Sequence, residues 1–92
     1  MENGRIHVWI KGLVQGVGFR FFAERHAGRL GLTGFVRNLP DGQVEVVAEG
    51  KKEDLEVFLD LLRKGPPGAI VRDVKVQWEA WTGAYREFEI RY

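Results

Sequence analysis

The order in which strand-like and helix-like apolar periodicities follow one another is the feature that most constrains the fold of this chain. Residues 5–12 alternate between apolar and polar side chains, which predicts a strand with one buried face. A glycine-rich stretch over 12–18 comes next, and apolar residues then recur at helical spacing until a stop at Gly31. The helical positions are Phe19, Phe22, Ala23, His26, Ala27 and Leu30.

The middle of the chain predicts a hairpin and a second helix. Residues 34–39 and 43–49 have the composition of strands, and Leu39-Pro40-Asp41-Gly42 joins them, with proline presetting φ and glycine accepting positive φ. An amphipathic helix is expected from about Lys51 to Lys64, where a Gly-Pro-Pro-Gly run ends it.

Two more strands are expected in the last quarter of the chain. Residues 69–79 predict a fourth strand, and the end of the chain predicts a short fifth. One face of the fourth strand would carry Ile70, Val74, Val76 and Trp78, and the fifth would carry Phe88, Ile90 and Tyr92. The order β-α-β-β-α-β plus an edge strand predicts an α+β, ferredoxin-like sandwich, in which two helices cover one face of an antiparallel sheet.

Length and composition narrow the class of protein. The 92 residues predict a single domain over 1–92, and 45% hydrophobic with 29% charged residues is typical of a soluble globular protein. A net charge of +1 gives no footprint of a nucleic-acid or membrane-surface binder. Because neither a leader nor a membrane span is evident, we expect a cytoplasmic protein.

The residue types that are missing limit the chemistry. Cysteine and serine are absent, which excludes disulfides, thiolate metal sites and cysteine or serine nucleophiles. His7 and His26 lack metal-ligand spacing, so we expect neither a metal site nor a cofactor. The shortage of thermolabile residues beside abundant Glu, Lys and Arg indicates a heat-adapted source.

The loop from Val14 to Arg20 is a candidate anion site. Gly16 and Gly18 allow successive backbone N–H groups to form a concave nest, to which the start of the helix adds partial positive charge. Arg20 in the first helical turn opposes the helix dipole, and a bound phosphoryl group would offset that cost. A solvated surface arginine beside turn glycines explains the same residues equally well. Neither a P-loop nor a dinucleotide fingerprint is present.

Asn38, at the end of a predicted strand, is the second candidate. Its amide can accept a hydrogen bond from water while donating one to an oxyanion, although capping the following turn is the commoner role of such a residue. Arg37, Glu45 and Glu49 are expected to be solvated charges.

These two stretches resemble the signatures of the acylphosphatase family. Val14 to Arg20 is similar to the first signature, and the second appears as Gly34 to Asn38 followed by Gly42, Val44 and Gly50. The resemblance implies hydrolysis of the carboxyl–phosphate bond of acyl phosphates by direct water attack, without a metal ion. It also implies a catalytic role for Arg20 and Asn38. The implied phosphate-binding loop consists of Gln15, Gly16, Val17, Gly18, Phe19 and Arg20.

The expected partners follow from this resemblance. They are a small acyl phosphate as substrate and inorganic phosphate as product and competitive inhibitor, with no nucleic acid or membrane and with the chain a monomer. The alternative is a ferredoxin-like binding module for RNA or a small anionic ligand, for which Trp9 on an open sheet face is the best argument. A domain of a larger carbamoyl-transferring maturation protein is a further alternative, which the chain length disfavours.

Overall fold

The computed structural model describes residues 2–92 and contains two helices and five strands in the predicted order. The elements are β1 (Asn3–Leu13), α1 (Phe19–Arg29), β2 (Thr33–Asn38), β3 (Val44–Lys51), α2 (Lys52–Lys64), β4 (Ile70–Glu79) and β5 (Phe88–Arg91). Their bounds differ from the predicted ones by a few residues at most. The order and type of the elements were therefore readable from periodicity and turn residues.

One sheet runs through the molecule in the strand order β4-β1-β3-β2-β5. Apolar residues of its central strands and of both helices form one core, which confirms the ferredoxin-like sandwich. Phe58 of α2 and Ala23 of α1 are fully buried in this core together with Val8 of β1. The loop and strand ends that carry the candidate site residues are thus attached to a packed scaffold.

The strands β4, β1, β3 and β2 pair antiparallel as predicted, whereas the fifth strand, β5, pairs with β2 in parallel, so that not all of the sheet is antiparallel. The chain leaves β4 at one edge of the sheet and joins the opposite edge after residues 80–87. The strand it meets there, β2, already runs in the direction that β5 takes, so the sheet is mixed. No local pattern in the sequence reports this long-range pairing.

The face assigned to Ile70 was also wrong. A bulge shifts the register between β1 and β4 at Lys11/Gly12, so that Gly12 pairs with Val71 and Leu13 with Ile70. Val71 therefore packs against the core, while Ile70 lies half-exposed on the other face. Val74, Val76 and Trp78 keep the predicted face, since they pair with the core residues of β1, although Trp78 remains exposed.

Glu45 and Glu49 are buried, which contradicts their prediction as solvated charges. Both lie on β3, the central strand, where the side chains of neighbouring strands cover the sheet face opposite the helices. Arg37 is ion-paired with Glu45, and Arg5 donates to Glu49 at 3.2 Å. Strand periodicity alone does not show that a polar face will be covered in this way.

Candidate active site

A small pocket lies where the β1–α1 loop meets the end of β2. Its volume is about 80 Å³, far below the roughly 300–1,000 Å³ of pockets that enclose a drug-sized ligand. The lining residues are Val14, Gly16, Gly18, Phe19, Arg20, Phe21 and Asn38. The structure thus brings together Arg20 and Asn38, which are 18 positions apart in the sequence. Only a small group, such as a phosphoryl group, fits inside.

The loop before α1 has the backbone conformation expected of an anion nest. Gly16 and Gly18 adopt positive φ values of 75° and 79°, which side-chain-bearing residues rarely adopt. Gly18 is the N-cap of α1, no side chain caps the helix, and its first turn contains no acidic residue. The N–H groups at this helix start are therefore free of side-chain partners and favour a negatively charged ligand.

Arg20 lies in the first turn of α1 and is half-buried. The ring of Tyr92 lies 4.7 Å from its guanidinium carbon, a cation–π contact that covers one face of the group. Tyr92, predicted to belong to the fifth strand, lies just beyond β5 (Phe88–Arg91), and nothing in the local sequence shows that it approaches α1.

Asn38 is the last residue of β2 and pairs with Val44 of β3. Its Oδ1 is buried and accepts no hydrogen bond from any of residues 2–92. An unpartnered buried acceptor costs about 1–3 kcal/mol, so the amide is poised to accept a hydrogen bond from a group that enters the pocket. The side chain does not cap the turn, which was the commoner alternative for a residue at this position.

Two residues of the predicted phosphate loop point elsewhere. Gln15 Nε2 donates to the carbonyl oxygens of Leu39 and Gln43, at 2.8 and 2.9 Å. Val17 packs against the hydrophobic core. Neither residue is among those that line the pocket, so any contribution of these two positions to an anion site is limited to their backbone.

The covered face of the sheet holds a separate network of charges. His7 Nε2 lies 2.7 Å from Glu45 Oε2, and the His7 and Trp9 rings stack with their centroids 3.9 Å apart. Lys75 Nζ lies 5.5 Å from the Trp9 ring centroid. This packing weakens the argument for a base-stacking surface at Trp9.

Hydrogen bonds determine the charge state of the two buried glutamates. Burial would raise the pKa of Glu49, but donors from Thr82, Gly83 and Arg5 outweigh it and hold the pKa below its usual value near 4.5. The pKa of Glu45 is likewise lowered, since hydrogen bonds from His7 and Arg37 outweigh its burial. Both side chains are therefore carboxylates at neutral pH.

Within residues 2–92, no group of three or more His, Cys, Asp or Glu side chains is arranged to hold a metal ion. The longer of the two described helices has 13 residues, and neither is long and apolar enough to cross a bilayer.

Taken together, these features describe a small α+β sandwich with a small pocket at the start of its first helix. The acylphosphatase family model matches residues 6–90. The chain belongs to the acylphosphatase family, and its activity is the hydrolysis of acyl phosphates.

Individual relatives agree with this assignment over nearly their whole length. The chain is 55% identical over 84 residues to an acylphosphatase of Dehalococcoides mccartyi (strain CBDB1), covering 90% of this chain and 92% of the relative. It is 48% identical over 92 residues to an acylphosphatase of Syntrophotalea carbinolica, covering both chains fully. The crystal structure of acylphosphatase from Bacillus subtilis superposes with a TM-score of 0.94 at 35% identity, covering 97% of this chain and 99% of that one.

Proposed function

We propose that the pocket between the β1–α1 loop and β2 is the site of hydrolysis, with Arg20 binding the phosphoryl group and Asn38 positioning the attacking water. The observation that carries this proposal is the juxtaposition, around one pocket of about 80 Å³, of Arg20, the glycine loop and Asn38, whose side-chain oxygen is buried without a partner. The pocket admits the phosphoryl end of the substrate, while the acyl group remains outside it.

Phosphoryl binding is assigned to Arg20 and the backbone N–H groups of the loop. The planar guanidinium can donate two parallel hydrogen bonds to phosphoryl oxygens, which a lysine ammonium cannot reproduce. The loop glycines and the N-terminus of α1 add oriented N–H dipoles beside it. These groups neutralise the three phosphoryl oxygens as the transition state forms.

Water attack is assigned to Asn38. Asn38 lines the pocket, and its Oδ1 is buried without a partner. When the side chain turns this oxygen toward the pocket, Oδ1 accepts a hydrogen bond from a water and holds it beside the phosphoryl group. The water oxygen forms a bond to phosphorus while the bond to the carboxylate oxygen breaks, and the electron pair leaves with the carboxylate. Because an amide is a poor base, the water proton passes to the phosphoryl group, which becomes inorganic phosphate.

The scheme needs no metal ion and predicts inhibition by the product. The carboxylate is a good leaving group, and Arg20 supplies the charge that magnesium supplies in many phosphoryl transferases. We therefore expect turnover in the presence of a chelator and competitive inhibition by inorganic phosphate. That residues 1–92 act as one monomeric domain in the cytoplasm remains a prediction.

An arginine-to-lysine exchange tests the binding role of Arg20. In Arg20→Lys we expect kcat/KM for an aryl acyl phosphate to fall about 10²–10³-fold, with a matching loss of inhibition by inorganic phosphate. Arg25→Lys is the matched control, because Arg25 is exposed on the same helix and does not line the pocket. Normal phosphate inhibition in a folded Arg20→Lys variant would contradict the assignment.

A further inference from the structure

Gln15 makes an unusual connection between the two halves of the site. Its single amide nitrogen donates one hydrogen to Leu39 O at 2.8 Å and lies 2.9 Å from Gln43 O. An amide NH₂ has two hydrogens, so these two carbonyls use its whole donor capacity. The side chain therefore cannot also donate to a phosphoryl group.

The two carbonyls lie at the base of the β2–β3 turn, next to Asn38. Leu39 directly follows Asn38, and Leu39 N donates to Gln43 O at 2.8 Å. Gln15 thus holds both arms of the turn at the point where β2 ends. On the other side, Gln15 lies between Val14, which is 1% exposed, and Gly16 of the nest. The Gln15 side chain thus connects the loop from Val14 to Arg20 with the segment that carries Asn38.

We propose that Gln15 is a positioning residue, which sets the place of Asn38 and its water relative to a phosphoryl group held by the loop and Arg20. This inference rests on the proposed function. Within the implied phosphate-binding loop, Gln15 would then contribute to phosphate binding only through its backbone. A displacement of about 1 Å between reacting groups can reduce the rate about 10²-fold.

A matched pair of substitutions separates this role from a general contribution to folding. Gln15→Met keeps the length of the side chain but removes both donors, whereas Gln15→Lys restores N–H donors near the same place. Gln43→Met is the control, because the Gln43 side chain bonds only within the exposed turn, to Asp41 at 2.6 Å. The Gln43 carbonyl that Gln15 contacts belongs to the backbone and is retained.

In Gln15→Met we expect kcat for an aryl acyl phosphate to fall about 10- to 100-fold, while the inhibition constant of inorganic phosphate changes less than about threefold. Gln43→Met should match the wild type in both quantities, and Gln15→Lys should recover part of kcat. Thermal unfolding recorded for each variant shows that the assays use folded protein.

Two results would overturn the proposal. One is a wild-type kcat in Gln15→Met. The other is a rise in the phosphate inhibition constant by the same factor as kcat falls, which would make Gln15 an anion ligand. If Gln15→Met does not fold, kcat and the phosphate inhibition constant are measured in Gln15→Lys and Gln15→Glu instead. Because Glu presents only acceptors to the two carbonyls, the proposal predicts a lower kcat in Gln15→Glu than in Gln15→Lys.

A double-mutant cycle tests whether Gln15 acts through Asn38. In the Asn38→Ala background, Gln15→Met should lower the residual turnover by much less than it does in the wild type. An equal loss in both backgrounds would contradict positioning through Asn38. Failure of the proposed function is recognised separately, by unchanged phosphate inhibition in Arg20→Lys.

Discussion

At the scale of single residues, the position of a polar side chain decided its role more than its type did. Asn38, at the end of a strand, lines the pocket and leaves its buried side-chain oxygen unpartnered. Gln15, also an amide, donates both of its hydrogens to the hairpin. Both residues belong to the two sequence signatures. Their different tasks depend on how the loop and the hairpin approach each other, which a linear motif does not describe.

Glu49 is the residue whose prediction from sequence differed most from the structure. Its side chain is fully buried and accepts hydrogen bonds from Arg5, from the Thr82 hydroxyl at 2.6 Å and from Gly83 N at 2.9 Å. The donors on the 80–87 connection come from far along the chain, so alternation on β3 could not reveal them. The carboxylate anchors that connection onto the sheet.

We predict that Glu49→Gln lowers the free energy of unfolding by about 2–4 kcal/mol at neutral pH, because an amide NH₂ would face donors that need an acceptor. The pKa of Glu49 is lower in the folded chain than its usual value near 4.5. The stability it contributes is therefore complete above that value and is lost as the pH falls through the folded pKa.

Urea unfolding at neutral pH, and again well below 4.5, measures this contribution. The difference between wild type and Glu49→Gln should shrink at the acid end. Glu56→Gln, at an exposed position of α2, should stay within about 0.5 kcal/mol of the wild type. A difference that does not change with pH would show that the carboxylate charge of Glu49 contributes nothing.

At the scale of elements, the distance to the neighbouring backbone determines whether a glycine can be replaced by a residue with a Cβ. Gly34 of β2 has φ 138°, and a Cβ there would collide with the carbonyl oxygen of Val47 on β3. Gly28 lies near the end of α1, where a Cβ would meet open space. The same substitution at the two positions should therefore have opposite effects.

Gly34→Ala should lower the free energy of unfolding by about 2 kcal/mol or more. Gly28→Ala should raise it by a few tenths up to about 1 kcal/mol, because alanine loses less backbone entropy in a helix. Denaturant unfolding of both variants checks the pair. Equal effects of the two substitutions would show that the β2–β3 approach is not as close as the structure has it.

Some elements could be predicted from the sequence more completely than others. The hairpin follows from Leu39-Pro40-Asp41-Gly42, and the bonds from Leu39 N to Gln43 O and from Gly42 N to Leu39 O confirm it. The bulge in β4 and the parallel pairing of β5 were not predicted, since each depends on a neighbouring strand. Turn residues and periodicity therefore predicted which helices and strands form. The direction of β5 and the face of Ile70 depend on pairing with neighbouring strands, which the local sequence does not show.

At the scale of the whole molecule, the sheet order places the proposed site. The two halves of the pocket come from the connection after β1 and from the end of β2, and β3 lies between these two strands. The pocket therefore exists only when the chain is folded, although its two main residues were identified from motifs. Their meeting in one pocket was expected from the family resemblance and not from the spacing of the residues.

The most direct test of this account is the hydrolysis of an aryl acyl phosphate by Asn38→Ala in the presence of a chelator, measured together with inhibition by inorganic phosphate. Asn3→Ala, at an exposed position of β1, is the matched control. We predict metal-independent turnover in the wild type and control. In Asn38→Ala we predict a fall of about 10²-fold or more in kcat and little change in phosphate inhibition. Wild-type turnover that stops when the chelator is added, or a folded Asn38→Ala variant that loses phosphate inhibition along with turnover, would contradict the account.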